Sequence, residues 1–212
     1  MNFNWQNVQV FNDPYIHFII DDFCKIPDLP PLELYKRENL ITRGRSAIKT
    51  LPYLEGEPKD FFEYLLSEKF HDNVCDLLQI PQMKNQTYGI RKTEGDYRIA
   101  REAMLVENSY TEDPILPIHT DHNVTIWTGM LYNVNSNQGK YRIFDKDLNL
   151  VKEIEPRIGT LVVTLNSSST WHDVTNWTEP FNRCAIYLTS EFKNFGRDEN
   201  RNAIGAKELW WT

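Results

Sequence analysis

The sequence predicts a mainly β protein with supporting helices, built on a double-stranded β-helix, or jelly-roll, core. The first observation is a series of short runs of β-branched and aromatic residues after residue 87, separated by turn signals such as those at 94–96 and 135–139. About eight short strands at such spacing are typical of a double-sheet jelly roll. The second observation is an earlier stretch with helical period, which predicts an outer support for the sheet.

The chain of 212 residues is predicted to form one domain. Its N-terminal part, about residues 1–85, contains an apolar strand over 15–20 and a helix or helix pair over about 58–79, with Pro58 in the first turn. The jelly-roll core covers about residues 86–192. A polar tail follows over 193–212, and its aromatic end is expected to dock on the body of the protein or on another subunit.

Charge and cysteine content limit the functions that the chain can have. It has 23 basic and 30 acidic residues and a formal net charge of −7, so it has no general attraction to nucleic acid or to an anionic membrane. No apolar run is long enough to span a bilayer, and no signal peptide is recognisable. Three cysteines without a CxxC pair are typical of free thiols. We therefore expect a cytoplasmic protein whose partner is neither a nucleic acid nor a membrane.

The stretch over residues 116–122 contains a metal-binding pattern. His119 and Asp121 are two positions apart, so in an extended chain both side chains point to one face. An imidazole and a carboxylate can then bind one ion, and His172 is the best candidate for the third ligand. Asp173 points to the opposite face of a strand from His172 and is not expected to bind. Two histidines and one carboxylate with open positions form the ligand set of non-haem Fe(II) oxygenases.

A basic residue, Arg183, follows the third ligand within the predicted core. Its planar guanidinium suits a bidentate pair with a carboxylate, so it is a candidate to bind the far end of a dicarboxylic cosubstrate. If Arg183 points into the barrel, Ala185 and Tyr187 share its face, and Ile186 and Leu188 face the other way. Tyr187 is then a second candidate to bind the same carboxylate.

Six fragments, in this order, connect the chain to a known family. They are His119-Thr-Asp121, Leu131-Tyr132-Asn133, Gly139-Lys-Tyr-Arg-Ile-Phe144, Glu155-Pro156-Arg-Ile-Gly159, Trp171-His172-Asp-Val174 and Arg183-Cys-Ala-Ile186. With them, the sequence resembles the Fe(II)- and 2-oxoglutarate-dependent dioxygenases over about residues 100–192. The resemblance is to the prolyl-4-hydroxylase-like branch that is common in bacteria and bacteriophages.

The resemblance implies Fe(II), 2-oxoglutarate and O₂ as cofactors. The residues it implies for binding the metal are His119, Asp121 and His172, and for binding the cosubstrate Arg183 and Tyr187. The reaction it implies is the hydroxylation of a C–H bond, of a peptidyl proline or another amino acid, with release of succinate and CO₂. If the protein is encoded by a bacteriophage, the resemblance implies that it acts in the cytoplasm of the host cell.

The strand after the metal-binding pattern departs from the family. Trp127, Gly129 and Leu131 are expected to share one face, and family members often carry a cosubstrate-binding tyrosine where Leu131 stands. Gln138 likewise replaces the first of two glycines that are usual before the next strand. We therefore expect the cosubstrate pocket to differ in detail from that of the family, with the metal ligands kept.

Three further histidines have simpler interpretations. His17 lies inside the opening apolar run and is predicted to be structural. His71 falls in the polar register of the helical stretch, which predicts a surface position. His122 is out of phase with His119 and Asp121, so it is expected at the rim of the site or on the surface.

Two other functions fit the same three ligands. One is a jelly-roll module that binds a metal ion without catalysis, and the other is a Zn(II) hydrolase. Neither needs a basic residue at the position of Arg183, so 2-oxoglutarate binding separates them from an oxygenase. The polar, turn-rich segments 46–57 and 91–96 are the predicted lids over the substrate.

Overall fold

The computed structural model describes residues 1–29, 40–42, 45–49, 54–83, 98–108, 116–121, 125–175 and 181–193. This part of the chain contains twelve strands, two α-helices and one 3₁₀ helix over Pro81–Met83. The helices are α1 (Gly56–Leu65) and α2 (Glu68–Leu77). The strands are β1 (Val8–Phe11), β2 (His17–Ile20), β3 (Leu40–Thr42), β4 (Arg45–Lys49), β5 (Arg98–Asn108), β6 (Leu116–His119), β7 (Thr125–Tyr132), β8 (Tyr141–Phe144), β9 (Leu150–Ile154), β10 (Leu161–Leu165), β11 (His172–Val174) and β12 (Phe181–Lys193).

Strands β5 to β12 form the jelly roll. They pair as nested antiparallel partners, β5 with β12, β6 with β11, β7 with β10 and β8 with β9. This order arises when one long hairpin winds into two facing sheets. The predicted jelly-roll core is therefore confirmed.

The large sheet extends beyond the jelly roll on both sides. Its eight strands have the order β1-β2-β10-β7-β12-β5-β4-β3, whereas the small sheet has the order β6-β11-β8-β9. The strand predicted over residues 15–20 corresponds to β2, which adds to the edge of β10 through the pairs Leu161 with Ile20 and Thr164 with His17. The N-terminal part thus continues the large sheet.

The large sheet buries a different cluster on each face. On the side of the helices, Trp127, Leu131, Ile186 and Leu188 pack with the aromatic residues of α1 and α2. On the side of the small sheet, a second cluster fills the barrel, and it includes Tyr15, Ile19, Met130, Tyr132, Tyr141, Ile143, Val162, Val174 and Ala185. From Met130 to Tyr132 in β7 and from Ala185 to Leu188 in β12, side chains alternate between these two clusters, as the period of a strand requires.

The predicted helix pair is confirmed as α1 and α2. Pro58 lies in the first turn of α1, where a missing N–H costs no hydrogen bond within the helix. The N-terminus of α2 is capped by Ser67, whose Oγ accepts a hydrogen bond from the Phe70 N–H at 3.1 Å. Phe62 and Val74 are among the fully buried residues that fix the two helices to the sheet.

His71 is completely buried, and the prediction of a surface position is wrong. It lies on the apolar stripe of α2 with Phe70, Val74 and Cys75. The helical pattern misplaced it because a polar side chain can occupy a core position when its hydrogen bonds are satisfied. Nε2 of His71 donates to the Met83 carbonyl at 2.9 Å, so Nδ1 is the acceptor.

Two of the three cysteines, Cys24 and Cys75, are buried and form no disulfide. Burial raises the pKa of the Cys24 thiol to about 12, which makes it unreactive at neutral pH. Within the described ranges no helix is long and apolar enough to cross a membrane. His122, the tail over 194–212 and the predicted lid over 91–96 lie outside the described residues.

The other predicted lid, over residues 46–57, is largely built into the fold. Ser46 and Lys49 belong to β4, which pairs with β5, and Gly56 begins α1. The lid prediction is therefore wrong for these parts of the segment, because their backbone is held in a strand and a helix. Residues 50–53 lie outside the described ranges.

Candidate metal centre

The predicted metal ligands meet at one end of the small sheet. His119 is the last residue of β6, and His172 is the first residue of β11. The two strands are antiparallel, and His172 is the direct partner of His119 across the ladder. Asp121 follows two residues after His119. Strand pairing thus brings the third ligand to the other two.

The ligand atoms of the three side chains lie within 4.8 Å of one another. Nε2 of His119 is 3.9 Å from Oδ1 of Asp121, and Nε2 of His172 is 3.6 Å from Oδ2 of the same carboxylate. The exposed fraction of the side chain falls from 29% for His119 to 16% for Asp121 and 7% for His172. The cluster therefore opens towards solvent on the His119 side and is closed behind His172.

Both imidazoles are oriented by a backbone carbonyl two residues earlier in the chain. Nδ1 of His119 lies 2.7 Å from the Pro117 oxygen, and Nδ1 of His172 lies 3.0 Å from the Thr170 oxygen. A carbonyl only accepts hydrogen bonds, so each Nδ1 carries the proton and donates it. The lone pair of each ring is then on Nε2, so Nε2 is the nitrogen that can bind a metal ion, an arrangement found in most histidine metal ligands.

The carboxylate of Asp121 shows that this donor set fits a cation. Its Oδ2 is buried and has no hydrogen-bond partner among the residues that the structure describes. A buried carboxylate oxygen without a donor is costly, unless an ion compensates its charge. A divalent cation bound by His119, Asp121 and His172 would supply that compensation, and both imidazole and carboxylate are ligands of Fe(II) and Zn(II).

Asp173 faces away from the cluster, as predicted. Its carboxylate accepts hydrogen bonds from Nε and Nη2 of Arg142, and the Nε bond is 2.8 Å long. Arg142 is the direct partner of Asp173 across the ladder between β8 and β11. The carboxylate in turn raises the pKa of the Arg142 guanidinium. This pair fixes the outer face of the strand that carries His172.

Two tyrosines next to the cluster were not found from the sequence. Tyr15 donates a hydrogen bond from its hydroxyl to the carbonyl of Trp171, directly before His172, at 3.0 Å. Tyr141 stacks on the His172 ring. Burial, with a contribution from the Asp121 charge, raises the pKa of both phenols well above the ordinary value, so both stay protonated. Tyr141 was recognisable only as an inward position of β8, and Tyr15 belongs to no motif.

The faces predicted for β12 are confirmed where the side chains are described. Ala185 and Tyr187 pack with the cluster inside the barrel, while Ile186 and Leu188 pack with the helices. Arg183 belongs to β12, but its side chain lies outside the described residues. The same holds for Cys184.

Leu131 faces the helices. It therefore does not point into the barrel, where a cosubstrate-binding tyrosine would be needed. Its neighbours Met130 and Tyr132 are the residues of β7 that point inward. Trp127 shares the face of Leu131, as predicted. The sequence does not reveal which face of β7 points inward, because all eight residues of this strand are buried.

No protein-family profile and no curated protein matches the chain. Among solved structures, it is similar to a prolyl-4-hydroxylase from Pseudomonas putida, with 19% identity over 72% of this chain and 70% of that chain and a TM-score of 0.43. It is also similar to a Trichoplax adhaerens prolyl hydroxylase solved with a hypoxia inducible factor peptide (16% identity, 71% of this chain, 62% of that chain, TM-score 0.41). A third is an oxidoreductase of the 2OG-Fe(II) oxygenase family from Burkholderia pseudomallei (10% identity, 87% of this chain, 71% of that chain, TM-score 0.42).

Proposed function

We propose that this protein is an Fe(II)- and 2-oxoglutarate-dependent oxygenase that hydroxylates a C–H bond. The observation that carries the proposal is the convergence of His119, Asp121 and His172 at one end of a jelly-roll barrel, with an orphaned carboxylate oxygen among them. When bound, Fe(II), 2-oxoglutarate and O₂ supply the oxidising chemistry, with succinate and CO₂ as co-products. His119, Asp121 and His172 would hold the ion and leave its other coordination positions to these molecules.

The chain itself contributes orientation and a dry surrounding. The backbone carbonyls of Pro117 and Thr170 fix the two imidazoles, so their Nε2 atoms are aimed before an ion arrives. Behind His172, the barrel is filled by buried side chains such as Ile143 and Val174. Such a wall keeps water away from a reactive centre, which is the main task of the protein in cofactor-driven oxidation.

In this proposal, Arg183 and Tyr187 bind the far carboxylate of 2-oxoglutarate. Two observations support the role of Tyr187 in binding this carboxylate. Its side chain packs inside the barrel, and it lies close enough to Tyr141 to contribute, after burial, to the raised pKa of the Tyr141 phenol. Arg183 lies four residues earlier in the same strand, and its planar guanidinium is suited to a bidentate pair with a carboxylate. The substrate that the sequence resemblance favours is a peptidyl proline or a free amino acid in the cytoplasm.

The test is an anaerobic titration of the apo-protein with Fe(II) and then 2-oxoglutarate, followed in the visible range. We expect a weak charge-transfer band from the chelated complex in the wild type. His172→Ala should lose iron, whereas Arg183→Ala should retain iron and bind 2-oxoglutarate more weakly. Equal loss of iron in both folded variants would contradict this division of roles.

The same titration separates the other functions of a two-histidine, one-carboxylate site. Iron bound without a band on addition of 2-oxoglutarate would favour the metal-binding module or, if the protein prefers Zn(II), the hydrolase. Where the band appears, the substrate is sought by mass spectrometry of candidate peptides, in which hydroxylation adds one oxygen atom. Asp147→Asn, which changes an exposed carboxylate in the turn before β9, is the matched control for ligand variants.

A further inference from the structure

Tyr141 contacts the metal centre from inside the barrel. Its ring stacks on the imidazole of His172, with the ring centroids 5.3 Å apart and 18° between the planes. Tyr141 is the cross-strand partner of Val174, two residues beyond His172, so the stack is a diagonal contact between β8 and β11. Aromatic side chains are long enough to meet at that diagonal separation.

The hydroxyl of Tyr141 is held by the large sheet on the opposite wall. It hydrogen-bonds with Oγ1 of Thr164 at 3.2 Å, and Thr164 hydrogen-bonds with Oγ1 of Thr128 at 3.1 Å. The exposed fractions of the three residues are only 6%, 2% and 4%. Thr128 and Thr164 are direct partners across β7 and β10, so this hydroxyl chain is anchored in the centre of the sheet.

The stack supplies a restraint that the hydrogen bond of His172 cannot. The bond from Nδ1 to the Thr170 carbonyl fixes one edge of the imidazole, but the ring can still rock about that bond. Nε2 lies on the far side of the ring, where rocking produces the larger displacement. Two ring contacts limit that motion. Tyr141 stacks flat on the His172 ring, and the tilted ring of His119 has its centroid 4.5 Å from that of His172.

We propose that Tyr141 is a positioning residue of the metal centre. Together with Thr164 and Thr128 it fixes the plane of the His172 imidazole, so that Nε2 points at the ion. It acts through His172 and does not bind the ion itself. This inference rests on the proposed metal centre. It gives both sheets a role in that centre, because the small sheet carries the histidine ligands and the large sheet holds His172 in position through Tyr141.

The test is Co(II) binding by the full chain, measured as the Kd and as the visible d–d spectrum. The variants are Tyr141→Leu, which removes the stack, and Tyr141→Phe and Thr164→Val, which remove one hydroxyl each. The matched control is Thr160→Val. Thr160 is as buried as Thr164 at 2%, immediately precedes β10, and donates a hydrogen bond of similar length, 3.1 Å, to Asp21.

We expect the Kd for Co(II) to rise about tenfold in Tyr141→Leu, at the lower end of the range for residues that orient a metal ligand. In the two hydroxyl variants, which keep the stacked ring, we expect a smaller rise of about threefold. The d–d spectrum should change in the same variants, whereas Thr160→Val should keep the wild-type constant and spectrum. If Tyr141→Leu does not fold, the two hydroxyl variants decide. Shifts no larger than that of Thr160→Val would overturn the positioning role. A wild type that binds no Co(II) would instead defeat the proposed metal centre itself.

Discussion

Nε2 of His172 lies 3.6 Å from Oδ2 of Asp121, and that oxygen has no hydrogen-bond partner within the described part of the chain. The two residues belong to separate segments that meet only because β11 pairs with β6. A buried carboxylate oxygen without a donor destabilises the metal-free protein, and the same oxygen attracts a cation. We therefore expect this oxygen to lower the free energy of unfolding of the protein without a bound cation.

Asp121→Asn should separate these two effects. Removal of the charge should leave the free energy of unfolding of the metal-free protein unchanged or raise it, because the orphaned charge is lost. Wild-type protein in Co(II) at 100 times its Kd should gain about 2.7 kcal/mol, and the variant should gain none. Thermal unfolding with and without Co(II) measures both, with Asp147→Asn as control. A full metal-induced gain in Asp121→Asn would exclude Asp121 as a ligand.

Arg142→Met should destabilise the protein by about 2 kcal/mol, less than for a fully buried pair because Arg142 is partly exposed. The exposed fraction of the side chain is 32% for Arg142 and 4% for Asp173, so the variant leaves an almost buried carboxylate without its bidentate partner. The double variant Arg142→Met/Asp173→Val removes that charge and should recover at least half of the loss. Urea unfolding of the two variants and the wild type tests this; a double variant as unstable as the single one would contradict it.

Acid should destabilise the fold through His71 and His17. Desolvation lowers the pKa of both imidazoles below the ordinary 6.5, although hydrogen bonds to backbone carbonyls oppose the shift. Below pH 6.5 the unfolded chain therefore binds protons that the folded chain does not. Stability is complete above that pH and is lost as the pH falls towards the lowered values, by up to about 1.4 kcal/mol per pH unit for each group.

Urea unfolding between pH 7.5 and 5 measures this slope, and His71→Gln should reduce it. The substitution also disturbs the hydrogen bond that Nδ1 of His71 accepts from the indole N–H of Trp127 at 3.2 Å, because a glutamine amide does not have the shape of an imidazole. We therefore expect lower stability at pH 7.5 together with a flatter pH dependence. An unchanged slope in the variant would show that His71 does not titrate on unfolding.

Gly159→Ala should cost more than Gly56→Ala, although both glycines have positive φ, +82° and +61°. A Cβ on Gly159 would lie 2.8 Å from the backbone oxygen of Cys24, whereas a Cβ on Gly56 would meet nothing within 4 Å. We expect about 1 kcal/mol for the left-handed conformation alone in Gly56→Ala, and about 2 to 3 kcal/mol in Gly159→Ala. The difference in unfolding free energy measures the clash, and equal values would show that the Cys24 backbone can move.

Much of the architecture and the convergence of the three candidate metal ligands could be predicted from the sequence. The turn signals and apolar runs predicted a jelly roll, and the helical period predicted the pair α1 and α2. The spacing of His119 and Asp121, together with the order of the segments, predicted a cluster with His172. The faces of the strands and helices are local features, because a period of two residues sets the face of a strand and a period of 3.6 residues sets the face of a helix. The prediction of His172 used the ligand set that the metal chemistry needs, because no local period connects it to His119.

Only the tertiary structure decided which face each buried side chain occupies and what it contacts there. All of β7 is buried, so its sequence does not distinguish Leu131 on the helix side from Met130 inside the barrel. His71 is a core residue because Met83 and Trp127, distant in sequence, satisfy its nitrogens. Tyr141 lies against His172 because β8 and β11 are neighbours. Such partners depend on strand pairing and on packing between layers, and no local period contains that information.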